Sequence, residues 1–243
     1  RAAMAALGAL LALPAVAQTS YPERPIRMVI PFAAGGGTDV VGRVAATCMA
    51  GGLGQPIVVE NRPGAGGTIG TDLVAKAPPD GYTITVLTTS TAVINPFLYE
   101  RLPFDTRRDF AAVSETGRSP NVVAIRPGHP ARTLAAFLAD ARARPDQVTY
   151  GSGGNGTIVH LSSVLLANMA GVRMQHVPFR SGTQALQAVM SGQVDLLVDS
   201  LPVVLAQVRD GAVRGLAVTS ARRLPQLPDL PTVQERGLAG YET

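Results

Sequence analysis

Short apolar runs, each leading through a turn into a segment with helical spacing, recur along most of this chain. Ile26–Pro31 passes through a glycine run into a helical stretch, Thr38–Gly51. Pro56–Glu60 passes through Asn61-Arg62-Pro63-Gly64-Ala65-Gly66-Gly67 into a helix that ends at Lys76, and Tyr82–Leu87 follows the turn Pro78-Pro79-Asp80-Gly81. Asn95–Asp109 has no clear period. The alternation then resumes with strand Val122–Arg126, helix Thr133–Ala143, strand Gln147–Tyr150 and helix Thr157–Ala170. It continues with strand Gln175–Val177, helix Thr183–Ser191, strand Val194–Val198, helix Pro202–Arg209 and strand Val213–Thr219. Strands alternating with helices in this way predict an α/β fold whose sheets are rich in parallel pairs and flanked by helices.

At 243 residues the chain is long for one average domain. The irregular stretch divides it into two lobes: 18–98 joined by 220–243, and 99–219. The extended segment Leu227-Pro228-Asp229-Leu230-Pro231-Thr232 is expected to carry the chain back to lobe one. That lobe is then short of material, and its C-terminal part is expected to be missing from this sequence.

The N-terminus carries Arg1, an Ala/Leu-rich run Ala2–Leu13 and the small-residue site Pro14-Ala15-Val16-Ala17. That pattern predicts a partial secretory signal, 1–17, and an exported mature chain from Gln18. A run of about a dozen residues is too short to span a bilayer, which needs ~20. Cys48 is the sole cysteine, which rules out an internal disulfide; it is expected to be a small buried hydrophobe on a helix. The net charge of +4 comes almost wholly from arginine, with Lys76 the single lysine. The arginines are scattered and no aromatics interleave with them, so a nucleic-acid partner is not indicated.

The chemistry points to the loops. Ala33-Ala34-Gly35-Gly36-Gly37-Thr38-Asp39, Gly64–Gly70 and Gly151–Thr157 all follow strands and open helices. In open α/β sheets ligands bind at that edge, and helix-opening amides bared by glycine favour an anion. Thr38, Thr68 and Thr157 add hydroxyls there. Arg180, after one strand, and Asp199, after the next, are rim positions. His160 falls four residues after Gly156, either toward the cleft or in a structural setting. His129, His160 and His176 share no metal-ligand spacing, so no metal or other cofactor is expected. Gly151, Gly153 and Gly156 spell G-x-G-x-x-G, which keeps an NADP-dependent oxidoreductase open as an alternative. The acidic residue expected after the next strand is absent, since Pro178-Phe179-Arg180 stands there.

Tyr21-Pro22-Glu23-Arg24-Pro25-Ile26, Pro31–Asp39, Glu60–Gly67, Pro79-Asp80-Gly81-Tyr82-Thr83, Tyr150–Leu161 and Leu227–Thr232 occur in that order. In this they resemble the TctC/Bug receptors, the extracytoplasmic binding proteins of tripartite tricarboxylate transporters. The resemblance implies a non-enzymatic periplasmic protein of two lobes that close like a flytrap on a small carboxylate. It implies a soluble monomer that hands the ligand to membrane permease subunits. It nominates Ala33, Ala34, Gly35, Gly36, Gly37, Thr38 and Asp39 with Gly66, Gly67, Thr68 and Gly70 as the carboxylate anchor. Thr88, Thr89 and Ser90 belong to the same face. From lobe two it nominates Ser152, Asn155, Thr157, Arg180, Ser181, Thr183 and Asp199, beside His160. At Val177–Gly182 this chain lacks the family's usual Tyr before the basic residue and carries Ser181 directly after it.

Overall fold

The computed structural model describes residues 21–243, so the expected export signal lies outside the described residues. Two sheets are present, of three and five strands. The first has the order β2-β1-β3, from β1 (Ile26–Ile30), β2 (Ile57–Asn61) and β3 (Thr83–Thr85), and all its pairs are parallel. Helix α1 (Gly37–Leu53) packs on one face through Asp39, Gly42 and Ala46, a helical stripe. Gly42 lets it come close, since a Cβ there would stand 2.6 Å from Ile30 Cδ1. Cys48 lies off that stripe and is exposed, contrary to the buried position expected for it. Helix α2 (Thr68–Ala75) is seated by Gly70, where a Cβ would meet the Pro31 and Arg62 backbones at 2.6–2.7 Å. A short helix, α3 (Asn95–Leu98), ends this lobe.

The second sheet has the order β6-β5-β7-β4-β8. Its strands are β4 (Asn121–Ile125), β5 (Thr149–Ser152), β6 (Gln175–Pro178), β7 (Leu196–Ser200) and β8 (Arg214–Val218). β5 pairs in parallel with β6 and β7, whereas β4 is antiparallel to both β7 and β8. The reason lies in the entry point: Asn121 at the start of β4 pairs with Ser200 at the end of β7. The chain therefore enters this lobe at the edge where the parallel strands finish and runs away from it. β4 is buried along its whole length, as a strand covered on both faces must be. Val123 and Ile125 face a cluster with α4 (Leu134–Ala143) and α5 (Ile158–Ala170). Val122 and Ala124 face the opposite cluster, with α6 (Gly182–Met190) and α7 (Leu201–Arg209).

The C-terminal segment corrects the expected return to lobe one. Leu227 joins one core cluster of the five-stranded sheet, and Val233 and Tyr241 join the other. Thr232 bridges Val218, and the Tyr241 hydroxyl donates to the Ser162 carbonyl at 2.9 Å. The apolar side chains between the prolines hold this stretch on lobe two. No helix among the described residues is long and apolar enough to cross a membrane.

Candidate functional site

The ends of β1, β2 and β3 face the ends of β5, β6 and β7 across a cleft of about 1320 Å³. Lobe one contributes the turn before α1, the glycine loop before α2 and Val86–Ser90. Its apolar floor includes Phe32 and Val86.

On the lobe-two wall Thr157 caps α5 and Ser181 caps α6, each accepting a backbone N–H through its hydroxyl. α7 begins at Ser200 without a side-chain cap, but Leu201 N–H donates to the Pro120 carbonyl at 2.9 Å and Pro202 has no N–H to offer. α1 begins at Gly36 with no side-chain cap. α2 also begins without one, but Gly67 and Ile69 donate to the Gly64 carbonyl, at 3.0 and 3.5 Å. The opening of α1 is therefore the barest set of amides on the lobe-one wall, the arrangement that attracts an anion.

Asp39 is buried in the first turn of α1 and turned back beneath the loop. It accepts from Gly35 N–H (2.9 Å), Arg43 Nε (3.0 Å) and Asn61 Nδ2 (2.8 Å). Asn61 Nδ2 also donates to the Phe32 carbonyl at 3.0 Å, and Arg43 donates to Asn61 Oδ1 at 2.9 Å. Burial raises the Asp39 pKa, but Arg43, the Gly35 amide and Asn61 together outweigh it and hold the carboxyl below its ordinary 3.8. Asp39 is thus the clamp of the loop.

The lobes touch along a seam beside the cleft. Ile158 N–H at the start of α5 donates to Ser90 Oγ at 2.9 Å. α1 packs against α7, and a Cβ at Gly37 would collide with Ser200 Oγ. Gly66 approaches the Asn155 carbonyl, 3.3 Å from where its Cβ would stand. The G-x-G-x-x-G spacing answers to packing of this kind. Gly151 lies against Ala185, Gly153 against the Gly182 amide, and Gly156 has φ +75° and meets Leu98 of lobe one.

The chain matches the family described as "Tripartite tricarboxylate transporter family receptor" over residues 41–243. It is 41% identical to a UPF0065 protein of Pseudomonas sp. strain P51 over 92% of its own length and 66% of that relative's. The chain thus spans about two thirds of that relative's length. A solved Rhodopseudomonas palustris structure with adipate superposes with a TM-score of 0.89 at 36% identity, over 92% of this chain and 75% of that one. The MatC structure from the same organism, with bound malate, superposes at 0.86 with 34% identity, over 92% and 76%. The chain belongs to this receptor family.

Within this chain the nominated residues separate into two layers. Ala33, Gly36, Gly37, Thr38, Gly66, Gly67, Thr88, Thr89 and Ser90 line the cleft from lobe one. Asn155, Thr157, Arg180, Ser181 and Asp199 line it from lobe two. The others stand behind the wall. Gly35 donates to Asp39 and, with Ala34, forms the turn. Gly70 seats α2, and the Thr68 hydroxyl accepts from Asn95 Nδ2 at 3.3 Å. Thr183 Oγ1 is buried, facing the position a Gly35 Cβ would take at 3.8 Å. Ser152 is buried with its hydroxyl engaged by Gly154 and His176. His160 turns away from the cleft, stacking on His176, so its setting is the structural one.

Asp199 sits at the end of β7, where Ser200 N–H and Oγ donate to its Oδ1 at 2.6 and 3.2 Å. Burial pushes its pKa up to about 6 against those two bonds. The Arg180 guanidinium is exposed at the rim. Sequence reasoning missed the segment that crosses between lobes: Glu115–Ser119 and Asn121 line the cleft, as do Tyr99 and Phe179. Part of the signal was available, because a two-lobed chain must cross beside its own cleft: Tyr99 lies in the aperiodic stretch Asn95–Asp109, and Glu115–Ser119 and Asn121 lie in the unassigned residues between it and the expected strand Val122–Arg126.

Proposed function

We propose that this chain is a non-enzymatic periplasmic receptor that takes up a small carboxylate between its lobes and delivers it to membrane permease subunits. The receptor acts as a monomer, with 21–98 as one closing body and 99–219, joined by the C-terminal segment 220–243, as the other. The observation that carries the reading is the uncapped start of α1, bare amides on a cleft wall that the second lobe closes over. Carboxylate-bound relatives support it: the two Rhodopseudomonas palustris structures hold adipate and malate. Charge-assisted hydrogen bonds from neutral donors contribute about 1.5–3 kcal/mol each, enough to hold an anion without a fixed ammonium. Arg180 then offers a cation to a second carboxylate and sets selectivity. Isothermal calorimetry of the purified protein against a panel of short di- and tricarboxylates is expected to show at least one saturable binder. A panel with no binder, or a neutral solute found bound in native mass spectra, overturns the reading.

A further inference from the structure

Behind the glycine loop of lobe two, three rings stack. His160 on α5 and His176 on β6 have centroids 4.1 Å apart with planes at 26°, and Tyr150 on β5 stacks on His176 at 5.0 Å. Both imidazoles are bonded to the loop. Gly156 N–H donates to His160 Nδ1 at 3.2 Å, and Ser152 Oγ lies 2.6 Å from His176 Nε2. Ser152 Oγ in turn accepts from Gly154 N–H at 3.2 Å. The loop so held supplies Gly153–Asn155 and Thr157 to the cleft wall, and Gly156 meets Leu98 of the other lobe.

We propose that His160 and His176 are positioning residues of the lobe-two ligand loop, and that protonation of the pair releases the loop and with it the bound solute. An imidazole nitrogen accepts a hydrogen bond only while it lacks a proton. Protonated at both nitrogens, His160 turns a donor toward the Gly156 N–H, and that bond is lost. A charge on either ring also faces the other ring at stacking distance. The titrating groups that face the pair are each other and the Tyr150 phenol. Among the described residues, no carboxylate or guanidinium contributes to holding a proton on either ring. Burial lowers the pKa of His160; burial and then the charge of His160 lower that of His176, to about 4. The pair is therefore neutral at pH 7 and fills with protons in acid, where the loop loses its support.

Part of the test rests on the receptor reading and part does not. In the free protein, the Gly156 amide resonance should move with pH along the titration of the histidine ring signals. His160→Asn places a non-titrating side-chain oxygen near the Nδ1 position and should abolish that movement. With whichever carboxylate the panel yields, the wild-type association constant should fall below the free-state histidine pKa by up to about tenfold per pH unit for each ring proton taken up. Whatever affinity His160→Asn has at neutral pH, it should lose that fall in acid, which separates loop release from protonation of the ligand itself. An amide that does not titrate with the rings, or equal acid sensitivity in wild type and His160→Asn, overturns the proposal and leaves the receptor reading standing. Absence of any carboxylate binder overturns the receptor reading, and the amide titration still decides the positioning role.

Discussion

Asp39 shows how one acidic residue can sit beneath the proposed anion site without opposing it. Its charge is spent inside the loop on Arg43, Asn61 and the Gly35 amide, and its burial keeps it off the cleft wall. Asp39→Ala leaves the Gly35 amide and the Asn61 side chain short of an acceptor, at a cost of about 1–3 kcal/mol. The variant should melt several degrees lower and bind ligand more weakly, since the loop that presents the α1 amides loses its clamp. Because the folded pKa lies below 3.8, the stabilisation from Asp39 is complete above that pH. It is lost as pH falls through the lowered value of the folded chain. Thermal melts of wild type and Asp39→Ala should therefore differ by a constant amount near neutrality and converge in acid. Curves that stay parallel to the lowest pH at which the protein folds would contradict the ion-pair account.

At the scale of elements, the sequence made most strands and helices legible to within two or three residues, because glycine and proline punctuate nearly every junction. The loops of the site were legible for the same reason, since close backbone approach demands glycine whether the neighbour is a ligand or another strand. That ambiguity is also why Gly70 and Gly151 read as ligand positions or a nucleotide fingerprint when their neighbours are Pro31, Arg62 and Ala185. Strand direction was not legible: nothing local to Asn121–Ile125 shows that it runs against its neighbours. Nor was the destination of the C-terminal segment, which depends on where Val233 and Tyr241 find an apolar surface. Tyr241 is fully buried against α5, with its hydroxyl on the Ser162 carbonyl. Tyr241→Ala should destabilise lobe two by about 3–5 kcal/mol through lost burial and a cavity, measured by urea denaturation. Tyr241→Phe should cost only about 1 kcal/mol, the hydrogen bond alone. Equal, small losses in both variants would place the segment outside the core.

For the whole molecule, the proposed capture depends on two bodies meeting along a seam where Gly37 and Gly156 leave no room for a Cβ. Gly37 is where this is sharpest. It opens α1, its φ lies outside the left-handed region, and nothing in its own lobe forbids a methyl group. The obstruction comes from across the seam, where Ser200 Oγ and Cβ occupy the space a Gly37 Cβ would need. Gly37→Ala should therefore separate stability from closure. Alanine is a better helix former than glycine by up to about 1 kcal/mol, so the free protein should melt at the same temperature or slightly higher. Ligand affinity should fall by roughly tenfold or more, as about 1.4 kcal/mol of lost seam contact suffices for that. Gly51→Ala provides the control: it lies in the same helix with open space around it, so it should share the gain in stability and keep wild-type affinity. Small-angle scattering with saturating ligand should show wild type and Gly51→Ala contracting, and Gly37→Ala remaining expanded. If Gly37→Ala contracts and binds like wild type, the α1–α7 contact is not part of the closed state, and capture must rest on the lobe-one wall without the second lobe shutting over it.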